Sequence, residues 1–151
     1  MARVEFDVDT SLAPDRLIDA LTDFSERRPD VWPDLERSQY EVYSVDATSA
    51  SVREGSKLPG TTIWAKERYD WSAPGTVRWT VEESNFCTPG SYVAVTATPS
   101  NSGGSRVHVE WERTGISLAG KLLVGMIKVS NGGPLKSSLR KAFHRLETSG
   151  A

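Results

Sequence analysis

The stretch ISLAGKLLVGMIKVSNGGPLKSSLRKAFHRLE, residues 116–147, decides how the rest of the chain is read. Its second half is the clearest helix in the sequence. Leu135, Leu139, Phe143 and Leu146 recur at spacings of four, four and three, which aligns them as one apolar stripe. Lys136, Arg140, Lys141 and Arg145 take the other faces. Pro134 suits a first helical position, and Asn131-Gly132-Gly133 supplies a break before it. The first half, Ile116–Val129, is apolar nearly all round, with little charge beyond Lys121 and Lys128. A helix of that composition needs cover on most sides. What precedes it has mostly strand character, so the economical architecture is a sheet folded around this stretch.

Side-chain parity assigns the faces of that sheet. In Arg106–Thr114, Val107, Val109 and Trp111 oppose His108, Glu110 and Glu112. In Thr76–Glu83, Val77, Trp79 and Val81 oppose Arg78, Thr80 and Glu82. In Thr61–Trp71, the more apolar set of Ile63, Ala65, Glu67, Tyr69 and Trp71 is predicted inward. Either face of Ser91–Thr98 fits the core, and Tyr92 is predicted inward because its hydroxyl could serve a pocket. Gln39–Val45 and Ser49–Glu54 read as a hairpin across Asp46-Ala47-Thr48, with Gly55–Gly60 as a loop and Ser84–Gly90 irregular. At the N-terminus, Val4, Phe6 and Val8 alternate with Glu5, Asp7 and Asp9, the pattern of a half-buried strand. A helix starting at Pro14 follows, with Leu17, Ile18, Leu21 and Phe24 inside. Pro29 and Pro33 cut the next segment into short turns around Val31 and Trp32. Strands with short turns and segregated helices define an α+β class with an antiparallel sheet.

A length of 151 residues predicts one domain, residues 1–151, with a core large enough to fold unaided. A net charge of −2 calls for neither nucleic acid nor an anionic surface as a partner. The lone Cys87 cannot form an internal disulfide and fits a reducing compartment. The acids of MARVEFDVDT stand where a signal peptide needs an apolar run, which predicts a cytoplasmic protein. No stretch reaches the roughly 18 apolar residues of a spanning helix.

Three blocks in order resemble a known family. They are VEFDV with a Pro-started helix ending in LTDF and the Trp32-Pro33 turn, then ERYDW with a Pro-Gly turn and VRWTV, then a last strand and the helix ending LRKAFHRLE. The chain resembles the START-related superfamily (SRPBCC) of polyketide cyclase/dehydrase and lipid-transport proteins over nearly its whole length. The resemblance implies a helix-grip fold: a curved antiparallel sheet of about seven strands gripping the C-terminal helix over a cavity. Two short N-terminal helices would plug one end of the sheet. The break at Asn131–Pro134 departs from the more continuous C-terminal helix of many members.

Little in the sequence carries catalytic chemistry by motif. His108 and His144 have no ligand spacing around them, so no metal or other cofactor is expected. Cys87 has no histidine near it in sequence and reads as a small buried hydrophobe. The row Lys136, Arg140, Lys141, His144, Arg145 is read as a solvated face. What remains is an aromatic cavity. Tyr69, Trp79, Tyr92 and Trp111 point by parity to the space under the last helix, Trp32 lies at one mouth, and Met126 on a segment covering another. Glu67 is a carboxylate on an otherwise inward face, and Arg113 ends another, so each needs a partner or a shifted pKa. The predicted ligand set is Trp32, Glu67, Tyr69, Trp79, Tyr92, Trp111 and Met126, around a hydrophobic lipid or polyketide-like molecule. Alternatives are a cyclase or dehydratase using Glu67 with Tyr69 or Tyr92 as acid and base, and a ligand-free module that presents Ile116–Val129 to a partner. Either a monomer or a homodimer is compatible with the sequence.

Overall fold

A computed structural model describes residues 2–149. Its strands are β1 (Ala2–Thr10), β2 (Glu41–Val45), β3 (Ser49–Leu58), β4 (Thr61–Asp70), β5 (Thr76–Ser84), β6 (Tyr92–Pro99) and β7 (Ser105–Arg113). Helices α1 (Pro14–Leu21) and α2 (Arg28–Val31) follow β1, and α3 (Leu118–Val129) and α4 (Gly133–Thr148) end the chain. All seven strands form one curved antiparallel sheet in the order β1-β7-β6-β5-β4-β3-β2. Alternation sets its inner face: Val4, Phe6, Val8, Val107, Val109, Trp111, Val77, Val93 and Val95 are all buried. Leu135, Leu139, Phe143 and Leu146 of α4 pack on this core, and Leu17 and Leu21 of α1 close one end. This is the α+β helix-grip architecture.

Three local expectations are corrected. Gly55–Gly60 is not a loop: β3 continues to Leu58 and reverses at Pro59-Gly60, where Gly60 has φ +79. Pairing of Gly55 with Trp64 and of Leu58 with Thr61 overrides the turn chemistry of the sequence. Tyr92 faces outward. Val93 and Val95 take the inner positions of β6, opposite Trp111 and Val109 of β7. Residues 116–129 are not covered on most sides, since α3 buries only Gly120, Val124 and Ile127. The break between α3 and α4 is built by Asn131 and Gly132, both with positive φ.

One irregularity shapes the site. The β4–β5 register shifts at Lys66/Glu67, so Glu67 pairs with Val81 while Ala65 pairs with Ser84. The shift turns the Ser84 hydroxyl onto the Trp64 carbonyl and the amides of Phe86 and Cys87. Cys87 is thereby held against Gly115, at the end of the sheet where β7 leads into α3.

Candidate functional site

Between the sheet and α4 lies a cavity of two adjoining lobes. The inner lobe has a volume of about 240 Å³ and is walled by Leu21, Trp32, Ile63, Trp79, Phe86 and Leu139, with polar groups from Arg28, Glu54, Glu67, Tyr69 and Arg113. The outer lobe, about 530 Å³, shares Leu35, Ser56, Ile63, Phe86 and Arg113 with the inner one. It reaches Trp111 and the α3 residues Leu123, Met126 and Ile127.

Parity along β3 and β4 delivers the polar groups. Ala50, Val52 and Glu54 form one inward row, and Ile63, Ala65, Glu67 and Tyr69 the next. Glu54 receives the Tyr69 hydroxyl through a short hydrogen bond and the Arg28 Nε at 2.8 Å. Arg28 is buried and also donates to the Leu21 and Asp23 carbonyls at 2.9 and 3.0 Å and to the Tyr69 oxygen at 3.1 Å. Its guanidinium lies 4.6 Å from the Phe24 ring centre and 5.3 Å from that of Tyr69. Burial works against the Arg28 charge, but Glu54 and Tyr69 outweigh it and raise its pKa. Burial also drives the Tyr69 phenol well above its ordinary pKa, with the Glu54 charge adding to the rise, so Tyr69 stays protonated. Tyr69 stacks on Trp79 at 5.2 Å.

A second pair lines the same lobe, with Glu67 on the strand next to Glu54. Arg113 Nη2 donates to Glu67 Oε2 at 3.2 Å, and Arg113 Nη1 lies 3.5 Å from the Cys87 sulfur. Both Glu67 and Arg113 are buried. Burial pushes the Glu67 carboxyl up to about 7; Arg113 pulls against the shift and the Glu54 charge adds to it. For Arg113 burial opposes the charge, and Glu67 and Cys87 restore it and raise the pKa.

Of the residues singled out by sequence, Trp32, Glu67, Tyr69 and Trp79 line the inner lobe, and Trp111 and Met126 the outer one. Met126 is 53% exposed and forms part of the rim. Tyr92 does not join them: its hydroxyl donates to Glu110 at 2.5 Å and its ring stacks under Arg78, both on the outer face. The outward row is completed by His108, which contacts Asp7 at 2.8 Å. Two site residues escaped the sequence reading. Glu54 was findable, because it continues the inward parity of Ala50 and Val52. Arg28 carries no periodic signal, lying beside Pro29 in a four-residue helix. Among the described residues, no group of acids, histidines or cysteines is arranged to hold a metal ion.

No protein-family model matches the chain, and no curated protein matches it in sequence. Solved structures match it in shape. The Zhui aromatase/cyclase of Streptomyces sp. R1128 superposes with a TM-score of 0.78 at 12% identity, covering 99% of this chain and 95% of that one. A START superfamily protein from Mycobacterium smegmatis gives 0.78 at 14% identity, covering 98% and 99%. A protein from Thermus thermophilus gives 0.76 at 18% identity, covering 99% of both chains. Identities this low speak for fold: the chain has the helix-grip fold of the START-related (SRPBCC) proteins. Among the described residues no helix is long and apolar enough to cross a membrane.

Proposed function

We propose that this chain binds an apolar, planar small molecule in the two-lobed cavity, with the Glu67–Arg113 pair meeting a polar atom of the ligand. The observation that carries this reading is the makeup of the inner lobe. Aromatic and aliphatic side chains supply the walls, and a few fixed polar groups converge at one side. A ring system fits between Trp32, Trp79 and Phe86, and a phenol or carbonyl on it can exchange hydrogen bonds with Glu67 or Arg113. The shared fold of an aromatase/cyclase supports an aromatic or polyketide-like ligand by analogy.

A titration of tryptophan fluorescence with a polycyclic phenol tests it, because Trp32 and Trp79 line the lobe. Saturable quenching is expected, and it should be weakened at least tenfold (an estimate from filling an apolar pocket) by Ser138→Phe at the wall shared by both lobes. Absence of saturable quenching, together with a bare chain in native mass spectrometry, would overturn the reading.

A second reading, acid–base catalysis on the bound molecule, is favoured by one observation. Glu67 is a cavity carboxyl raised to about 7, a value at which it can both give and accept a proton near neutrality. Tyr69 would then orient the substrate as a phenol rather than titrate. In this version Glu67→Gln keeps ligand binding and removes turnover of a polyketide-like substrate; unchanged turnover would exclude Glu67 as the proton-transfer group.

A further inference from the structure

The helical hairpin differs from the rest of the chain in charge. Between Thr114 and Leu146 there is no Asp or Glu, while Lys121, Lys128, Lys136, Arg140, Lys141 and Arg145 all fall there. The full chain has 18 Lys and Arg against 20 Asp and Glu, so the whole acid excess lies elsewhere. Helix α3 adds a second peculiarity. Leu118, Leu122, Met126 and Val129 are 78, 66, 53 and 89% exposed and recur at spacings of four, four and three, which makes them one outward row. Lys121 and Lys128 are exposed beside them. On the opposite side, Val124 and Ile127 anchor α3 to the core.

We propose that α3 is a docking surface for an anionic lipid bilayer. At 12 residues, α3 is about 18 Å long, too short to span a membrane but long enough to lie in its interface. In that position the apolar row enters the acyl boundary and the lysines extend their amines among anionic headgroups. Charge complementarity selects this occupant. A second copy would bring one cationic helix pair, whose one acid is Glu147 in the last turn of α4, against another. A folded protein partner uses a polar rim of hydrogen-bonding side chains, whereas the exposed polar side chains of α3 are lysines alone. The acids that line the outer lobe, Asp34 and Glu36, lie outside α3, in the segment before β2. Met126 is both a member of the exposed row and a wall of the outer lobe, so docking sets the cavity mouth at the bilayer. That last consequence rests on the ligand reading; the docking itself stands on α3.

The test is co-sedimentation of the purified full chain with phosphatidylcholine vesicles, with and without added phosphatidylglycerol. Binding is expected only with the anionic lipid, and should fall steeply as salt rises to about 0.5 M. Leu122→Ser with Val129→Ser should weaken it by at least tenfold, an estimate from two lost apolar insertions. Lys121→Gln with Lys128→Gln should cost roughly fivefold per lysine. Both pairs are exposed, so near-UV circular dichroism should not change. No binding to the anionic vesicles would overturn the proposal. So would binding that the serine pair leaves intact, or self-association that it abolishes, which would make α3 a dimer face. Vesicle binding without quenching by the phenol would leave docking standing and sink the ligand reading alone.

Discussion

Two arginine–carboxylate pairs line one cavity, and they are built for different ends. Arg28 is saturated: it binds Glu54, Tyr69 and two backbone carbonyls, and its guanidinium lies beside the Phe24 and Tyr69 rings. It fastens the segment after α1 to β3 and β4. Among the described residues Arg113 donates to Glu67 and the Cys87 sulfur and lies 5.6 Å from the Phe86 ring centre, and the Glu67 contact is the longer of the two Arg–Glu bonds, 3.2 against 2.8 Å. Burial, which Arg113 offsets only in part, lets Glu67 hold its proton up to about 7. The Glu54 side chain is 15% exposed and that of Glu67 6%. Burial together with the number of donors around a carboxylate separates a structural clamp from a group that can exchange a proton.

The comparison breaks most visibly at Arg28. Arg28→Met should destabilise the protein by about 3–5 kcal/mol, since Glu54 is left without its cation and two carbonyls lose their donor. Chemical denaturation at neutral pH measures it. A cost below about 1 kcal/mol, the range of an exposed ion pair, would show that Arg28 is not the clamp.

Glu67 sharpens the contrast through pH. An unfolded glutamate releases its proton near 4.5, whereas the native one keeps it to about 7. Between those values the native state binds more protons, so stability falls as pH rises and the loss is complete above 7. At about 1.4 kcal/mol per unit, the slope amounts to roughly 3 kcal/mol across the window. Glu67→Gln should flatten this slope, as read from unfolding free energies at a series of pH values. A slope that survives the substitution would assign the titration to another group.

The smallest effect belongs to Tyr92. On the outer face Tyr92→Phe loses one hydrogen bond to Glu110, and should change stability by no more than about 0.5–1 kcal/mol and leave ligand quenching untouched. A loss of quenching would return Tyr92 to the cavity.

The contrast between Tyr92 and Glu67 also shows where the sequence was legible. In the middle of β1 and β7 the inner positions Val4, Phe6, Val8, Val107, Val109 and Trp111 are all apolar and the outer ones between them are charged or histidine, so parity admits one solution. On β4 the apolar company of Glu67 identified its face correctly, and the pairing with Arg113 then followed from the sheet. On β6 Val93, Val95 and Ala97 alternate with Ala94 and Thr96, and nothing in that strand alone distinguishes the faces. The decision is made by its neighbours, Trp111 opposite Val93 and Glu112 opposite Tyr92. Arg28 was invisible for a related reason: its partners Glu54 and Tyr69 are distant in sequence, and its own short helix has no period. The exposed row of α3 ran against expectation because an apolar composition cannot say whether protein or another apolar phase will cover it.

The strand order β1-β7 has a further consequence, for synthesis. Residues 2–10 are synthesised well before residues 105–113, their hydrogen-bonding partner. Throughout that wait Val4, Phe6 and Val8 form an unpaired apolar strand. The interleaved Glu5, Asp7 and Asp9 make it a strongly acidic one, which disfavours pairing with a neighbouring nascent chain. The same three carboxylates that meet Arg3, His108 and Arg106 on the outer face of the finished sheet thus act as charges against wrong pairing before β7 arrives.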